Sequence, residues 1–161
     1  MNSDASTDYV AGWSFTNACN LKCKHCYNAS GKRKPDELTL DQALAVADTL
    51  ATSGVSAVNF GGGECCLRSD FIPLCAYLKE KGIKISYTTN GTLFEKIEPH
   101  LSLFHDIGVS IDFPNAPRHD DFRGVPGTYE KAIGTLRELV RRKVHNELVT
   151  CITKENVQEL P

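Results

Sequence analysis

No run of the chain reaches the roughly 18 consecutive apolar residues that a membrane helix requires, so no membrane span is expected. Charge of one sign is missing as well. Lys and Arg number 18 against 20 Asp and Glu, a net charge of −2. That balance offers no basic face to nucleic acid and none to an anionic membrane. Met1 to Asp8 is short and polar, without the apolar stretch of a secretory signal. It reads as part of a flexible tail, residues 1–9, ahead of a folded domain over 10–161. Low-complexity tracts are absent, and no repeat shows beyond an alternation of strand and helix. What is left is ordinary globular composition: 161 residues, 41% hydrophobic and 24% charged, enough for one domain with a core.

Cysteine breaks this plainness. The chain has seven and no sign of export. In a reducing cytoplasm, where the chain is expected, such a set points to metal binding or catalysis rather than disulfides. Three of them form the cluster Cys19-Asn-Leu-Lys-Cys23-Lys-His-Cys26, directly after an apolar, strand-like run. This cluster lacks a fourth thiol. Four soft ligands close a zinc or iron–sulfur site, whereas three leave one metal position for a substrate or cofactor. Lys22 and Lys24 stand beside the thiols, where positive charge offsets a cluster's negative charge and favours thiolate. The competing reading is a zinc knuckle completed by His25 or a distant cysteine, and spacing alone leaves both open. Cys75 and Cys151 are expected to be small buried apolar residues.

Strand and helix signals alternate along the rest. Val10–Thr16, Ser56–Phe60, Ile83–Thr88, Gly108–Phe113 and Glu147–Ile152 read as strands. Thr39–Thr52 reads as a helix with Thr39 and Gln42 as a capping box. Asp70 is placed as the cap of a second helix that turns Phe71, Leu74, Cys75 and Leu78 inward and stops at Gly82. A weaker helix covers Leu93–Phe104, and Thr128 caps another that carries Tyr129, Ala132, Ile133, Leu136, Leu139 and Val140 on one stripe. Pro114–Gly127 reads as a long loop, and Asn156 as the start of a further helix. Repeated βα units imply an α/β fold with a parallel sheet. Five units of ~30 residues suit this length, whereas a closed eight-fold barrel typically needs ~250. The expectation is a partial, TIM-like (β/α) barrel of about five parallel units with an open edge.

Ligands bind at the C-terminal ends of parallel strands. Every unusual motif falls at such an end. Gly61-Gly62-Gly63-Glu64 follows strand two: glycines admit close backbone approach, and a carboxylate accepts from an ammonium group. The same residues also suit a flexible turn with a solvated acid. Thr88-Thr89-Asn90-Gly91 is either a turn or an amide presented to a polar ligand. Ser110 and Asp112 alternate on strand four and need polar partners, from a ligand or from the following loop. In that loop Arg123 suits a carboxylate clamp, whereas Arg118, Asp120 and Asp121 read as solvated charges.

Taken together, C-x3-C-x2-C, Gly-Gly-Glu, Thr-Asn-Gly, Ser110-Ile-Asp112 and Arg123-Gly124 resemble the radical S-adenosylmethionine enzymes over about residues 10 to 157. The phrases Cys19-Asn-Leu-Lys-Cys-Lys-His-Cys-Tyr27 and Gly127-Thr-Tyr-Glu-Lys-Ala132 are most similar to the peptide- and haem-modifying branch, which often carries a SPASM or twitch extension. The resemblance implies that Cys19, Cys23 and Cys26 hold three irons of a [4Fe–4S] cluster, with S-adenosylmethionine chelating the fourth. It implies that Gly62, Gly63 and Glu64 hold the methionine amino group, and that Ser110 and Asn90 contact the same ligand. Arg123 would face the methionine carboxylate, and His25 would pack near adenine with the Tyr27 backbone beside it. The implied reaction is reductive cleavage to a 5′-deoxyadenosyl radical, which takes hydrogen from a peptide or small cofactor precursor. An electron donor such as flavodoxin or ferredoxin is implied as a partner.

Three departures from the pattern stand out. Cys65 follows Glu64 where proline is common, with Cys66 next, so a second metal, a hydrogen-atom donor or altered turn packing are all open. Phe113 replaces a frequent glycine. The family normally has a sixth βα unit, so the chain is expected to be truncated, or to cover an open edge with a second subunit or a dimer. The alternative to an enzyme is a non-catalytic iron–sulfur or zinc scaffold of the same fold.

Overall fold

Residues 9–160 are described in a computed structural model. The expected tail lies outside them, except that Tyr9 already opens the first strand. The strands are β1 (Tyr9–Thr16), β2 (Val55–Gly62), β3 (Lys84–Thr89), β4 (Asp106–Ser110) and β5 (Asn146–Val149). All pair in parallel, in the order β1-β2-β3-β4-β5. Sequential order with helical crossovers is the arrangement of a partial barrel.

The helices cover one face and bury their apolar stripes on it. Helix α1 (Leu40–Thr52) carries both hydrogen bonds of the capping box. Gln42 N–H donates to Thr39 Oγ1 at 3.4 Å, and Thr39 N–H to Gln42 Oε1 at 2.9 Å. Helix α2 (Phe71–Glu80) turns in Phe71, Leu74, Cys75 and Leu78, as the periodicity predicts. Between them lies an aromatic core. Phe60 meets Phe71 edge to face at 5.3 Å, and Phe71 meets Tyr87 at 5.0 Å. Such contacts add about 1 kcal/mol to plain area burial.

Several sequence expectations are corrected by partners distant in the chain. Asp70 sits at the α2 cap position but makes no cap hydrogen bond, because Arg68 Nε engages its carboxylate at 2.9 Å. The weaker helix is shorter than expected: α3 (Phe94–Ile97) passes into a 3-10 stretch, Glu98–Leu103. Pro99 has no N–H for the longer helix. The loop Pro114–Gly127 contains an eight-residue helix, α4 (Ala116–Arg123). Asn115 caps it by accepting from Arg118 N–H at 3.2 Å, and Pro117 fits its first turn.

Thr128 does not cap the next helix, α5 (Thr128–Arg141); Gly127 holds that position. Asp120 does the capping from α4, taking Tyr129 N–H and Thr128 Oγ1 at 2.8 Å each. Asp120 is therefore no solvated loop charge. Strand β4 ends at Ser110, so Asp112 lies beyond it and is buried. Asn156 starts no helix among the described residues. Its buried amide donates to Asp112 O at 3.0 Å and Cys151 O at 2.9 Å.

Candidate functional site

The C-terminal ends of the strands surround a cavity of about 670 Å³. Cys19, Cys23 and Cys26 line one side of it. The loop that carries them is held by its neighbours. Gly63 N–H donates to Thr16 O at 2.7 Å, and Glu64 N–H to Ala18 O at 2.8 Å. A Cβ on Gly63 would stand 2.1 Å from Ala18 O, and one on Gly62, at φ +107°, 2.7 Å from Thr16 O. Glycine is required there so that β2 can run against the cysteine loop. Gly61 lies beside open space in the cavity.

From behind, Glu37 ties down the start of the loop. Its carboxylate accepts from Thr16 Oγ1 and Asn17 N–H, both at 2.8 Å, and Arg68 Nη1 approaches at 3.2 Å. Helix α4 braces the middle. Phe122 O accepts from Lys24 N–H at 2.9 Å, and His25 stacks on the Phe122 ring at 4.3 Å. The ammonium of Lys24 is turned to Asp121 at 2.7 Å and faces solvent, so it does not serve the thiols as expected.

Each sulfur has an N–H donor. Leu21 N–H points to Cys19 Sγ at 3.5 Å, Ser30 N–H to Cys26 Sγ at 3.3 Å, and Arg123 Nη1 to Cys23 Sγ at 3.9 Å. Burial pushes the Cys19 and Cys23 thiols up, and Arg123 opposes that rise at Cys23. At Cys26 burial also acts upward, yet the surrounding amides of Ser30, Asn28 and Ala29 bring the thiol below its usual range.

Among the described residues no three Cys, His, Asp or Glu side chains converge closely enough to hold one ion. The three thiols rim a cavity instead. A zinc ion requires its ligands within ~2.3 Å of one point, whereas a cluster takes one thiolate at each iron corner. The donor set, the N–H groups on the sulfurs and the glycine cradle fit an iron–sulfur cluster. His25 is not a fourth ligand converging with the thiols. Its Nε2 lies 3.9 Å from Asp112 Oδ2, and its Nδ1 is buried without a hydrogen-bond partner.

The remaining site expectations fall around the same cavity with one exception. Gly62, Gly63, Asn90, Ser110, Arg123, His25 and Tyr27 line it. Tyr27 projects at the mouth, 86% exposed. Arg123 is buried, with its Nε on Asp112 Oδ2 at 2.6 Å. Glu64 is the exception. Its carboxylate is 1% exposed and spent inside the core, accepting from Thr89 Oγ1 and Asn90 N–H at 2.9 Å each and from the Tyr87 hydroxyl. Burial pushes its pKa up. Thus Glu64 fixes the Thr89-Asn90 strand end rather than lining the cavity.

Cys65 and Cys66 lie in a 3-10 turn (Cys65–Leu67), buried, with Cys66 Sγ donating to Glu64 Oε1 at 3.2 Å. Burial pushes both thiols far up, which disfavours the thiolate that a second metal would need. Cys75 is buried as expected, but Cys151 is exposed and lines the cavity. The sequence places it inside a strand over Glu147–Ile152, whereas β5 ends at Val149 and leaves Cys151 just past it. Thr88 of the Thr-Thr-Asn-Gly motif lines the cavity, as do Ser14 and Thr150, which carried no motif of their own.

The sequence profile of the radical SAM superfamily matches residues 13–161. An AdoMet-dependent heme synthase of Methanosarcina barkeri is 34% identical over 155 residues, covering 94% of this chain and 44% of that protein. The mycofactocin maturase MftC of Mycolicibacterium smegmatis is 34% identical over 155 residues, covering 92% of this chain and 38% of that protein. The chain therefore spans less than half the length of these curated relatives. Among solved structures, Streptococcus suis SuiB bound to S-adenosylmethionine superposes with a TM-score of 0.78 at 18% identity, covering 94% of this chain and 36% of that one. The enzyme anSMEcpe with bound AdoMet gives 0.77 at 20% identity, covering 94% and 45%. These superpositions agree with the partial-barrel fold.

Proposed function

The chain belongs to the radical SAM superfamily, and on that footing we propose that it houses the cluster and nucleotide site of an enzyme modifying a peptide or a cofactor precursor. Cys19, Cys23 and Cys26 would hold three irons of a [4Fe–4S] cluster, leaving the fourth for S-adenosylmethionine. The observation that carries this reading is the set of three free thiols on one rim of a strand-end cavity, each with an N–H donor. When bound, the cluster and S-adenosylmethionine supply one-electron cleavage of the sulfonium to a 5′-deoxyadenosyl radical.

The chain's own residues orient and enclose. Asn90 and Ser110 offer polar groups at adjacent strand ends, and Asn90 is fixed through Glu64. His25, stacked on Phe122, gives a flat apolar face for a nucleobase. Arg123, oriented by Asp112, supplies the cation for a carboxylate. The thiols call for a reducing compartment, and a low-potential flavodoxin or ferredoxin is the natural electron source. The relatives named maturase support a peptide substrate, and those named heme synthase support a tetrapyrrole precursor.

Anaerobic reconstitution followed by reduction in the presence of S-adenosylmethionine tests the proposal. Methionine and 5′-deoxyadenosine should form in equal amounts, and Cys23→Ala should abolish both. Tight zinc binding with no nucleotide product would overturn it.

A further inference from the structure

The N–H donors on the three thiols differ in kind. Cys19 and Cys26 face neutral backbone amides, of Leu21 and Ser30. Cys23 faces a full positive charge, Arg123 Nη1 at 3.9 Å. Arg123 is 8% exposed, and its Nε is held by Asp112 Oδ2 at 2.6 Å. Asp112 is itself fixed. Its Oδ1 accepts from Cys151 N–H at 3.0 Å, and its own N–H donates to His119 Nδ1 at 3.2 Å.

The backbone locks the same approach. Lys22 N–H donates to Arg123 O at 3.1 Å. Gly124 follows at φ +72°, where a Cβ would stand 2.4 Å from Lys22 O, so helix α4 ends pressed against the loop between Cys19 and Cys23. Lys24, next to Cys23 in sequence, is turned to Asp121. The cation that reaches a sulfur comes from a hundred residues away.

We propose that Arg123, aimed by Asp112, is a cluster-facing cation that raises the reduction potential of the iron–sulfur cluster through the Cys23 corner. This rests on the reading above that the three cysteines carry such a cluster. Reduction brings one electron from an external low-potential donor onto an already anionic, thiolate-ligated group. A buried cation beside one sulfur stabilises the reduced form more than the oxidised one, and little solvent intervenes to screen it. The Asp112 carboxylate acts with the opposite sign. Arg123 thus has a duty at the cluster separate from any contact with a bound carboxylate.

The test is a redox titration of the reconstituted full chain, followed by electron paramagnetic resonance, without S-adenosylmethionine. Leaving out the nucleotide removes any contribution from its carboxylate. Arg123→Gln should lower the midpoint, and Asp112→Asn should raise it. Arg123→Lys, which keeps the charge, should shift it less than Arg123→Gln. Opposite shifts identify charge as the cause, since a merely loosened loop would move both variants the same way. A midpoint in Arg123→Gln equal to or above that of the wild type overturns the inference. Should Arg123→Gln take up no iron, Arg123→His decides: a midpoint that falls more steeply than the wild type's as pH rises and the imidazole loses its charge upholds the inference, and a pH dependence equal to the wild type's overturns it. Wild-type protein that loads no iron would remove the parent reading and this one together. Loaded proteins with coincident midpoints would remove this one alone.

Discussion

Glu64 holds a carboxylate inside the core, where burial raises its pKa above the ordinary 4.5 of a glutamate. The donors around it, Asn90 N–H, Cys66 Sγ and Thr89 Oγ1, offset part of that rise. Because the folded state keeps the proton to higher pH than the unfolded chain does, the contribution to stability is complete below about pH 4.5. It is lost as pH rises through the folded value. Glu64→Gln has no such proton to lose. Urea denaturation of both proteins from acid to neutral pH should show wild-type stability falling relative to the variant, and a constant difference would contradict this. The cysteines separate in the same residue-by-residue way. Cys23→Ala should abolish iron uptake, whereas Cys75→Ala should retain it and cost about 1 kcal/mol of packing, read by thermal denaturation. The C-x3-C-x2-C rim was legible because its three members are neighbours in sequence. The Asp112–Arg123 pair was not, because its partners meet only after β4 and α4 have docked. Cys151 departs from expectation for a related reason: its residue type favours burial, but β5 ends two residues before it and leaves it exposed at the cavity.

Helix α4 is the element that local pattern hid. Its eight residues include Pro117 and five charged or imidazole side chains in a row broken only by Phe122, with no apolar stripe at helical period. What forms it is the Asn115 cap together with contacts to the cysteine loop and to α5. Asn115→Ala should therefore destabilise the protein by about 1 kcal/mol and speed amide exchange in α4 and in the loop around Lys22 and Lys24. Exchange confined to α4 would refute the bracing role. The β2 turn is equally specific. Gly63→Ala places a methyl group against the Ala18 carbonyl, so the cysteine loop must shift, and iron uptake should fall even though no thiol is removed. By contrast, the capping box of α1 and the inward face of α2 were fully legible, since each is set by residues within one helix.

For the whole molecule, five parallel strands in sequential order bring motifs from along the chain to one end of the sheet. That convergence is legible in the sequence, because the C-terminal ends of parallel strands in βα folds lie on one side. Strands β1 and β5 lie at the two edges of the described sheet. Exposed Tyr9 and Val10 lie on the first of these edge strands, and exposed Leu148 on the second. None of the helices described is long and apolar enough to cross a membrane. The cavity between the strand ends is the feature from which the rest follows: a rim of three free thiols, proposed above to hold a cluster with one iron left for S-adenosylmethionine. The most direct test is the paramagnetic spectrum of the reduced, reconstituted chain with and without that nucleotide. The expected result is a [4Fe–4S] signal that changes when S-adenosylmethionine is added and is absent in Cys23→Ala. A chain that stays colourless and iron-free, or a signal indifferent to the nucleotide, would contradict it.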